Sequence, residues 1–412
     1  MQDLVITYAA PVFVILILLE MLVSHLRGSA NFFFSDTINS MGLGMMYQVT
    51  SAFAKVVSIG IYAWVFHHYA VFKLPQTWWM WALGLLLYDF LYYWLHRKGH
   101  EVAILWAAHV VHHQSERYNL TTALRQTSSG VLLSWIFYLP MAVLGVPVEM
   151  FIALSLIDLL YQFWVHTELI GKLGWFDRVF VSPSNHRVHH ATNDIYLDKN
   201  YGGILILWDR LFGTFMEEMD EHKVVYGTRS PLRSWNPIKA NLEVYQKLIE
   251  DAGHARHWKD KILIWLRHPG WQPLDVAQKY PHAPFELHRP RYEPALPSGW
   301  KMYCLFQFTV ILLILPHFLA VNSVISFEHC LLYAGWLCAG LIILGGLTER
   351  RTGYLWLEAL RLLLTAAFVL VFGQWLGDFR LDALLLDAIL IVVAGSLLCL
   401  ILLGKDARKL AA

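Results

Sequence analysis

Charge is what this sequence has least of. Lys, Arg, Asp and Glu supply 15% of its 412 residues and nearly cancel, leaving a formal net charge of +1, where soluble domains carry about 25% charged residues. A nucleic-acid partner selects a surface of clustered Lys and Arg, so that class is excluded. Cysteine is equally thin. Cys304, Cys330, Cys338 and Cys399 form no C-x-x-C pair and lie in or beside apolar runs, so they read as small buried hydrophobes. Heptads, low-complexity tracts and a solenoid period are missing as well. So are a Rossmann fingerprint and a fused haem domain, which means that any electrons the protein uses must be delivered from outside.

Apolar residues fill the space. They make up 57% of the chain and give a mean hydropathy of +0.45, against roughly 45–50% in soluble domains. The composition implies an all-α integral membrane protein. A span needs about 20 mostly apolar residues, and such runs occur at 4–23, 41–71, 78–95, 131–144, 148–165, 304–321, 330–347, 354–372 and 381–403. The expectation is therefore about nine transmembrane helices. Run 4–23 reads as an anchor, because it opens without basic residues and shows no small-residue cleavage pattern. Pro147 marks a hairpin between the fourth and fifth runs. The sequence divides into a membrane-embedded domain at 1–220, a polar connector at 221–300 and a four-helix membrane region at 301–412.

Lys and Arg in short loops accumulate on the cytoplasmic side. With simple alternation, Arg27, Arg97, Lys98, Arg350, Arg351, Lys405, Arg408, Lys409 and the polar stretch 167–300 fall on one side. That arrangement puts the amino terminus outside, the carboxyl terminus inside, and the ends of the third and fifth spans at one cytoplasmic interface.

Histidines collect at that interface. H-R-K-G-H supplies His96 and His100, A-H-V-V-H-H supplies His109, His112 and His113, the fifth span ends at His166, and N-H-R-V-H-H supplies His186, His189 and His190. On a helix, positions i, i+3 and i+4 share a face. Ser182 and Pro183 form a helix start ahead of the last cluster. A lone histidine on an apolar face is usually a satisfied core residue, but three spaced clusters point to metal. Neutral imidazoles suit iron, zinc, copper or nickel rather than magnesium or calcium. Nine nitrogens are too many for one ion and fit two ions with open positions, the mark of catalytic more often than structural sites. Asp89 and Asp158 lie inside apolar runs, where a carboxylate is costly and has a partner, and are candidates to orient the imidazoles or to bond between helices; Glu116 and Glu168, nearer the clusters, are candidates to orient the imidazoles or to touch substrate, against a solvated interfacial charge. The remaining histidines, including His67, His68 and the H-A-R-H of His254 and His257, lack a matching partner cluster.

This pattern, H-x(3)-H followed by two copies of H-x-x-H-H, resembles the fatty acid hydroxylase and sterol desaturase superfamily. Further motifs carry the likeness: W-A-A-H-V-V-H-H-Q-S-E-R-Y-N-L-T-T-A-L-R-Q, Q-F-W-V-H-T-E-L-I-G-K-L-G and D-K-N-Y-G-G-I-L-I-L-W-D-R-L-F-G-T-F. They are most similar to the branch that cleaves alkylglycerol ether lipids. The strong resemblance covers about residues 88–215, and Asn185 stands where some relatives carry another histidine. The resemblance implies two ferrous ions held by the nine histidines, dioxygen as co-substrate, a membrane lipid as substrate, and an external electron donor, tetrahydrobiopterin or a b-type cytochrome. Hydroxylation next to an ether oxygen would give a hemiacetal that collapses to a fatty aldehyde. A sterol, carotenoid or fatty acyl hydroxylase or desaturase of the same superfamily is the alternative, and a membrane metal transporter or sensor is the alternative of another class. The implied location is a bacterial inner membrane, or the endoplasmic reticulum in a eukaryote, with the active site facing the cytoplasm.

Overall fold

The computed structural model describes residues 2–377 and 379–411. Its architecture is helical. The first long helices are α1 (Gln2–Leu26), α2 (Phe34–Tyr69) and α3 (Trp78–Glu101), followed by the short α4 (Ala103–Ala107) and α5 (Leu120–Leu124). A helical hairpin follows, α6 (Gly130–Leu144) and α7 (Val148–Trp164). The polar stretch holds α8 (Pro183–His189), α9 (Leu207–Phe212), α10 (Pro237–His254), α11 (Trp258–Leu266) and α12 (Leu274–Lys279). Four long helices close the chain: α13 (Ser298–Val321), α14 (Phe327–Thr348), α15 (Gly353–Phe372) and α16 (Ala383–Ala411). A two-stranded antiparallel ribbon, β1 (Gln374–Trp375) with β2 (Phe379–Arg380), joins the last two.

Among the described residues, six helices are long and apolar enough to cross a membrane: α1, α2, α13, α14, α15 and α16. The runs expected at 78–95, 131–144 and 148–165 also fold as helices, but they fall short of that standard for visible reasons. Helix α3 mixes four Trp, three Tyr and Asp89 into its apolar stretch at 78–95, which lowers its mean hydropathy, α6 has only 15 residues and α7 has 17.

The chain forms two compact units, one of residues 1–33, 53–233 and 239–291, the other of 34–52, 234–238 and 292–412. In the first, α3, α6 and α7 pack around Tyr88, Tyr138, Met141, Met150 and Leu154. Tyr88 stacks on Tyr138 at 4.7 Å, and Tyr62 donates to the Val146 carbonyl at 3.0 Å. Two glycines set this packing. A Cβ at Gly84 would lie 2.6 Å from the end of the flexible Met150 side chain, so a small residue here lets Met150 fold against α3. Gly145 closes α6 at φ +92°, and a Cβ there would sit 2.0 Å from the Phe72 carbonyl oxygen. The hairpin expected at Pro147 is built on this turn, with Pro147 opening α7.

The second unit is a bundle in which buried polar groups satisfy one another, as a low-dielectric setting demands. Glu358 accepts two bonds from Arg361 at 2.8 and 2.7 Å and one from Tyr303 at 3.0 Å. Arg361 also donates to Gln307 at 3.0 Å and lies over the Trp336 ring.

Candidate metal centre

All the predicted histidine ligands belong to the first unit, and they converge as two groups. His96, His100, His109, His113 and His189 form one; His112, His166, His186 and His190 form the other. Within each group the candidate ligand atoms lie within 4.8 Å of one another. The two H-x-x-H-H motifs are shared between the groups in opposite senses. The first sends positions i and i+4 to the five-histidine group and i+3 to the four-histidine group; the second sends i and i+4 to the four and i+3 to the five. The groups adjoin, with His113 stacked on His190 at 4.3 Å.

Local structure explains each placement. His96 and His100 sit one turn apart at the end of α3, which stops at Glu101. The chain then turns through α4 into a single 3-10 turn, Val110–His113, with His109 at its N-cap. An α-helical face was the simplest expectation for this cluster; tertiary bonds impose the tighter turn. Arg125, buried, donates from Nε to the Val111 carbonyl at 2.7 Å, and its own carbonyl accepts from His112 Nδ1 at 3.0 Å. The third cluster folds as its sequence suggested: Ser182 caps α8 by accepting from the Asn185 amide, and Pro183 occupies the first turn. Arg187 anchors that helix through paired bonds to Glu218 at 2.8 and 2.7 Å and further bonds to the Thr167 and Ile170 carbonyls.

Backbone carbonyls orient the rings. His96 Nδ1 bonds the Tyr201 carbonyl at 2.8 Å, His166 Nδ1 that of Gln162 at 2.8 Å, and His189 Nδ1 that of Lys199 at 3.0 Å. A carbonyl only accepts, so in these rings and in His112 the proton is on Nδ1 and a neutral imidazole turns the Nε2 lone pair inward. His112 Nε2 nevertheless lies 3.1 Å from His166 Nε2. Two lone pairs at that distance repel unless a cation lies between them. Protonation is not the remedy, because burial holds the His112 imidazole down to about 4 and pushes His166 well below the usual histidine range. Other Nε2 pairs are as close: His96 with His109 at 3.2 Å, His109 with His113 at 3.1 Å, His166 with His186 at 3.0 Å and His186 with His190 at 3.2 Å. Metal–nitrogen bonds of about 2.0–2.1 Å put neighbouring ligands roughly 3 Å apart at a right angle. The Nε2 atoms of His100 and His189 are buried without a hydrogen-bond partner, as an inward lone pair reserved for an ion would be. The donor set therefore fits two cations.

The predicted carboxylates occupy other positions. Both oxygens of Asp89 bind the chain at 204–208: Oδ1 accepts from the Ile204 amide at 2.7 Å, Oδ2 from the Leu205 amide at 3.1 Å and Trp208 Nε1 at 2.9 Å. Asp158 Oδ2 accepts from Gln162 at 2.6 Å, while Oδ1 faces Gly203, where a Cβ would be 2.7 Å away. Glu168 accepts from Tyr226 at 3.0 Å; Tyr226 stacks on Tyr118, whose ring lies 5.2 Å from that of His190. Glu116 lies 3.5 Å from Arg289. Asn185 serves structure, its amide donating to the carbonyls of Asp177 and Phe180.

Three supporting residues had not been singled out from sequence. Asp209 accepts from the Tyr201 and Gly202 amides, both at 2.8 Å, fixing the loop that orients His96. Asp198 Oδ1 lies 3.8 Å from His100 Nδ1. Glu20, on α1, accepts from Thr167 at 2.5 Å and from the Leu120 amide at 2.7 Å. A carboxylate inside an apolar run was the available signal for Glu20. The same signal was available for Asp209, set in I-L-I-L-W-D-R-L-F, whereas Asp198 lies in polar sequence, where an acidic residue is unremarkable.

The chain belongs to the fatty acid hydroxylase family, whose model matches residues 81–214, and it is an integral membrane oxidoreductase. The alkylglycerol monooxygenase of Homo sapiens is 35% identical over 86% of this chain and 80% of its own length, and that of Danio rerio 36% identical over 86% and 80%. The ornithine lipid hydroxylase OlsE of Rhizobium tropici is 30% identical over 32% of this chain and 41% of its own. No solved structure matches the chain.

Proposed function

We propose that the protein is a membrane-bound, non-haem diiron oxygenase that cleaves alkylglycerol ether lipids. The observation that carries the metal assignment is the pair of converging, neutral histidine groups. Similarity to alkylglycerol monooxygenases along most of the chain supports the substrate class. His96, His100, His109, His113 and His189 would hold one iron and His112, His166, His186 and His190 the other. When bound, the irons would supply the redox chemistry that reduces dioxygen and oxidises an unactivated C–H bond.

The protein's own contribution is positional. Four carbonyl-anchored rings present lone pairs without needing to lose a proton, and burial keeps them neutral when a cation departs. The net reaction takes one dioxygen, two electrons and two protons; one oxygen atom enters the carbon beside the ether oxygen and the other leaves as water. The resulting hemiacetal breaks its C–O bond, its hydroxyl proton passes to the departing glycerol oxygen, and a fatty aldehyde remains. Tetrahydrobiopterin or a b-type cytochrome would supply the electrons. Asp89 and Asp158 act on the site through the 201–205 loop. Glu116 and Glu168 lie further out, on the polar side, suited to substrate or donor contacts.

The topology that serves this reaction has nine spans, with α3, α6 and α7 crossing beside the six apolar helices, and places the histidines at the cytoplasmic face of a bacterial inner membrane or, in a eukaryote, of the endoplasmic reticulum. Residues 1–220 then form the oxygenase domain, 221–300 a cytoplasmic connector and 301–412 a four-helix membrane region. Purified protein given ferrous iron, reduced pterin and an alkylglycerol should release a fatty aldehyde that carries label from isotopic dioxygen when trapped faster than it exchanges with water. Oxygen uptake without aldehyde would remove the ether-lipid assignment, and failure of label to enter any lipid product with any donor would remove hydroxylation itself.

A further inference from the structure

Helix α11 lies outside the metal centre, in the stretch that the sequence presents as a polar connector. One side of it is buried: Ile264 packs with Ala103, Ala107, Leu248, Ala255 and Val276. The other side is apolar too and faces outward, with Trp258 79%, Ile262 59% and Leu266 56% exposed. These residues stand at i, i+4 and i+8, one continuous stripe. An open groove of about 490 Å³, completed by Ala252, Gly253 and Trp265, runs along it. A helix apolar on both sides is not at rest in water, and a contiguous exposed patch marks a partner.

The surrounding charge says which partner. Residues 256–267 carry Arg256, Lys259, Lys261 and Arg267 against a single acid, Asp260, in a chain whose total net charge is only +1. Lys261 lies 5.7 Å from the Trp258 ring. Tryptophan and lysine on an apolar stripe are the composition of helices that lie in a bilayer interface and meet anionic headgroups. Continuity with the membrane is direct: the Arg267 carbonyl accepts from the Ala103 amide at 2.9 Å, two residues beyond the end of α3.

We propose that α11 lies in the plane of the bilayer that the chain itself spans, with Trp258, Ile262 and Leu266 among the acyl chains and the basic residues at anionic phospholipid headgroups. The proposal rests on α3 being a span that ends at that surface. It also bears on the metal centre. Just after α11, His268 Nε2 lies 3.1 Å from Asp198 Oδ2, and the other oxygen of Asp198 lies 3.8 Å from His100 Nδ1, so α11 adjoins the loop beside the histidine groups.

The test uses the full-length protein in nanodiscs of three parts phosphatidylcholine to one part phosphatidylglycerol. An environment-sensitive fluorophore is placed on Ile262→Cys or Leu266→Cys, on Glu250→Cys of α10 as the aqueous control, and on Leu86→Cys of α3 as the membrane control, each in a background without the native cysteines. Probes at 262 and 266 should lose about half their emission to spin-labelled acyl chains, consistent with burial roughly 5–10 Å into the interface, and should resist iodide, while the probe at 250 does the reverse. Lys259→Glu with Lys261→Glu should lower the lipid quenching at 262 to its level in pure phosphatidylcholine; no change would overturn the headgroup contact. Quenching at 86 with none at 262 and 266 would overturn the docking of α11, and a lack of quenching at 86 would instead overturn the span on which it rests. Shielding at 262 that vanishes on dilution without lipid quenching would mean a second copy of the chain, and would also overturn it. None of these readouts depends on turnover.

Discussion

Replacing His112 with alanine tests the division of the histidines more sharply than any other single change. His112 belongs to the smaller group, so its loss leaves three nitrogens, while loss of His189 leaves four in the larger. Structural zinc sites with four ligands bind with an apparent free energy of about 10–16 kcal/mol; on that scale one ligand is worth roughly 2.5–4 kcal/mol, or about two to three decades in affinity. His112→Ala also leaves the Arg125 carbonyl without its donor. Bound iron, measured by elemental analysis of purified protein, should fall from two per chain to about one, and aldehyde release should become undetectable. His189→Ala should abolish turnover with a smaller loss of iron. His282→Ala should change neither quantity, because His282 rests on Asp251 at 3.0 Å and belongs to neither group. Two irons per chain and full turnover in His112→Ala would refute the ligand set. Equal iron losses in His112→Ala and His189→Ala would refute the five-to-four division.

Acid should weaken the metal-free protein. His112 is held down to about 4 from 6.5, so between those values the unfolded chain binds a proton that the folded chain does not, and stability falls as pH drops through that window. At pH 5 this amounts to about 2 kcal/mol from His112 alone. Thermal unfolding of the iron-free protein at pH 7.5 and pH 5 measures the effect, and equal midpoints would contradict it. Asp89→Asn would set an amide against the donors of Ile204, Leu205 and Trp208, each bond to a charged group being worth roughly 1.5–3 kcal/mol. The variant should unfold at lower temperature and retain less iron, and wild-type values for both would show that Asp89 does not hold the 201–205 loop. Topology is checked with single cysteines: one near Arg97 should be shielded from an impermeant thiol reagent in intact cells and one near Pro75 should react, the reverse pattern overturning the map.

The donor set was legible in the sequence because imidazoles at i, i+3 and i+4 have few structural uses in an apolar chain, and because S-P ahead of N-H-R-V-H-H is a complete helix start. The sharing of each motif between two groups was not. On a regular helix i, i+3 and i+4 form one face, whereas the 3-10 turn Val110–His113 and the end of α8 let the i+3 ring cross to the other group. Nor were the partners of the carboxylates legible. The atoms that bind Asp89 lie 115 to 119 residues away along the chain, and the carbonyl that orients His96 lies 105 away. Hydropathy located every apolar run as a helix, yet it could not rank α3, whose charged end carries His96 and His100 of the histidine site.

The stretch D-K-N-Y-G-G-I, Asp198 to Ile204, is where α3 and the histidine groups meet. Three of its amides go to acids: Asp209 takes those of Tyr201 and Gly202, and Asp89, within α3, takes that of Ile204, while Asn200 bonds the Asn185, Thr214 and Met216 backbone. Its carbonyls at Lys199 and Tyr201 face inward to His189 and His96. The two glycines are what allow both. A Cβ at Gly202 would lie 2.6 Å from the Leu205 carbonyl oxygen, and one at Gly203 would lie 2.7 Å from Asp158 Oδ1 and 3.0 Å from Asp89 Oδ1. The loop is thus pressed against two buried carboxylates with no room for a larger residue; Asp89 bonds it directly, Asp158 only packs against it, and neither touches a ring. Carboxylates bound directly to the metals would cancel part of their charge. Neutral imidazoles, oriented from behind by carbonyls, would leave that charge available to the chemistry of any metals bound there, and the acids behind the loop would remain one layer removed.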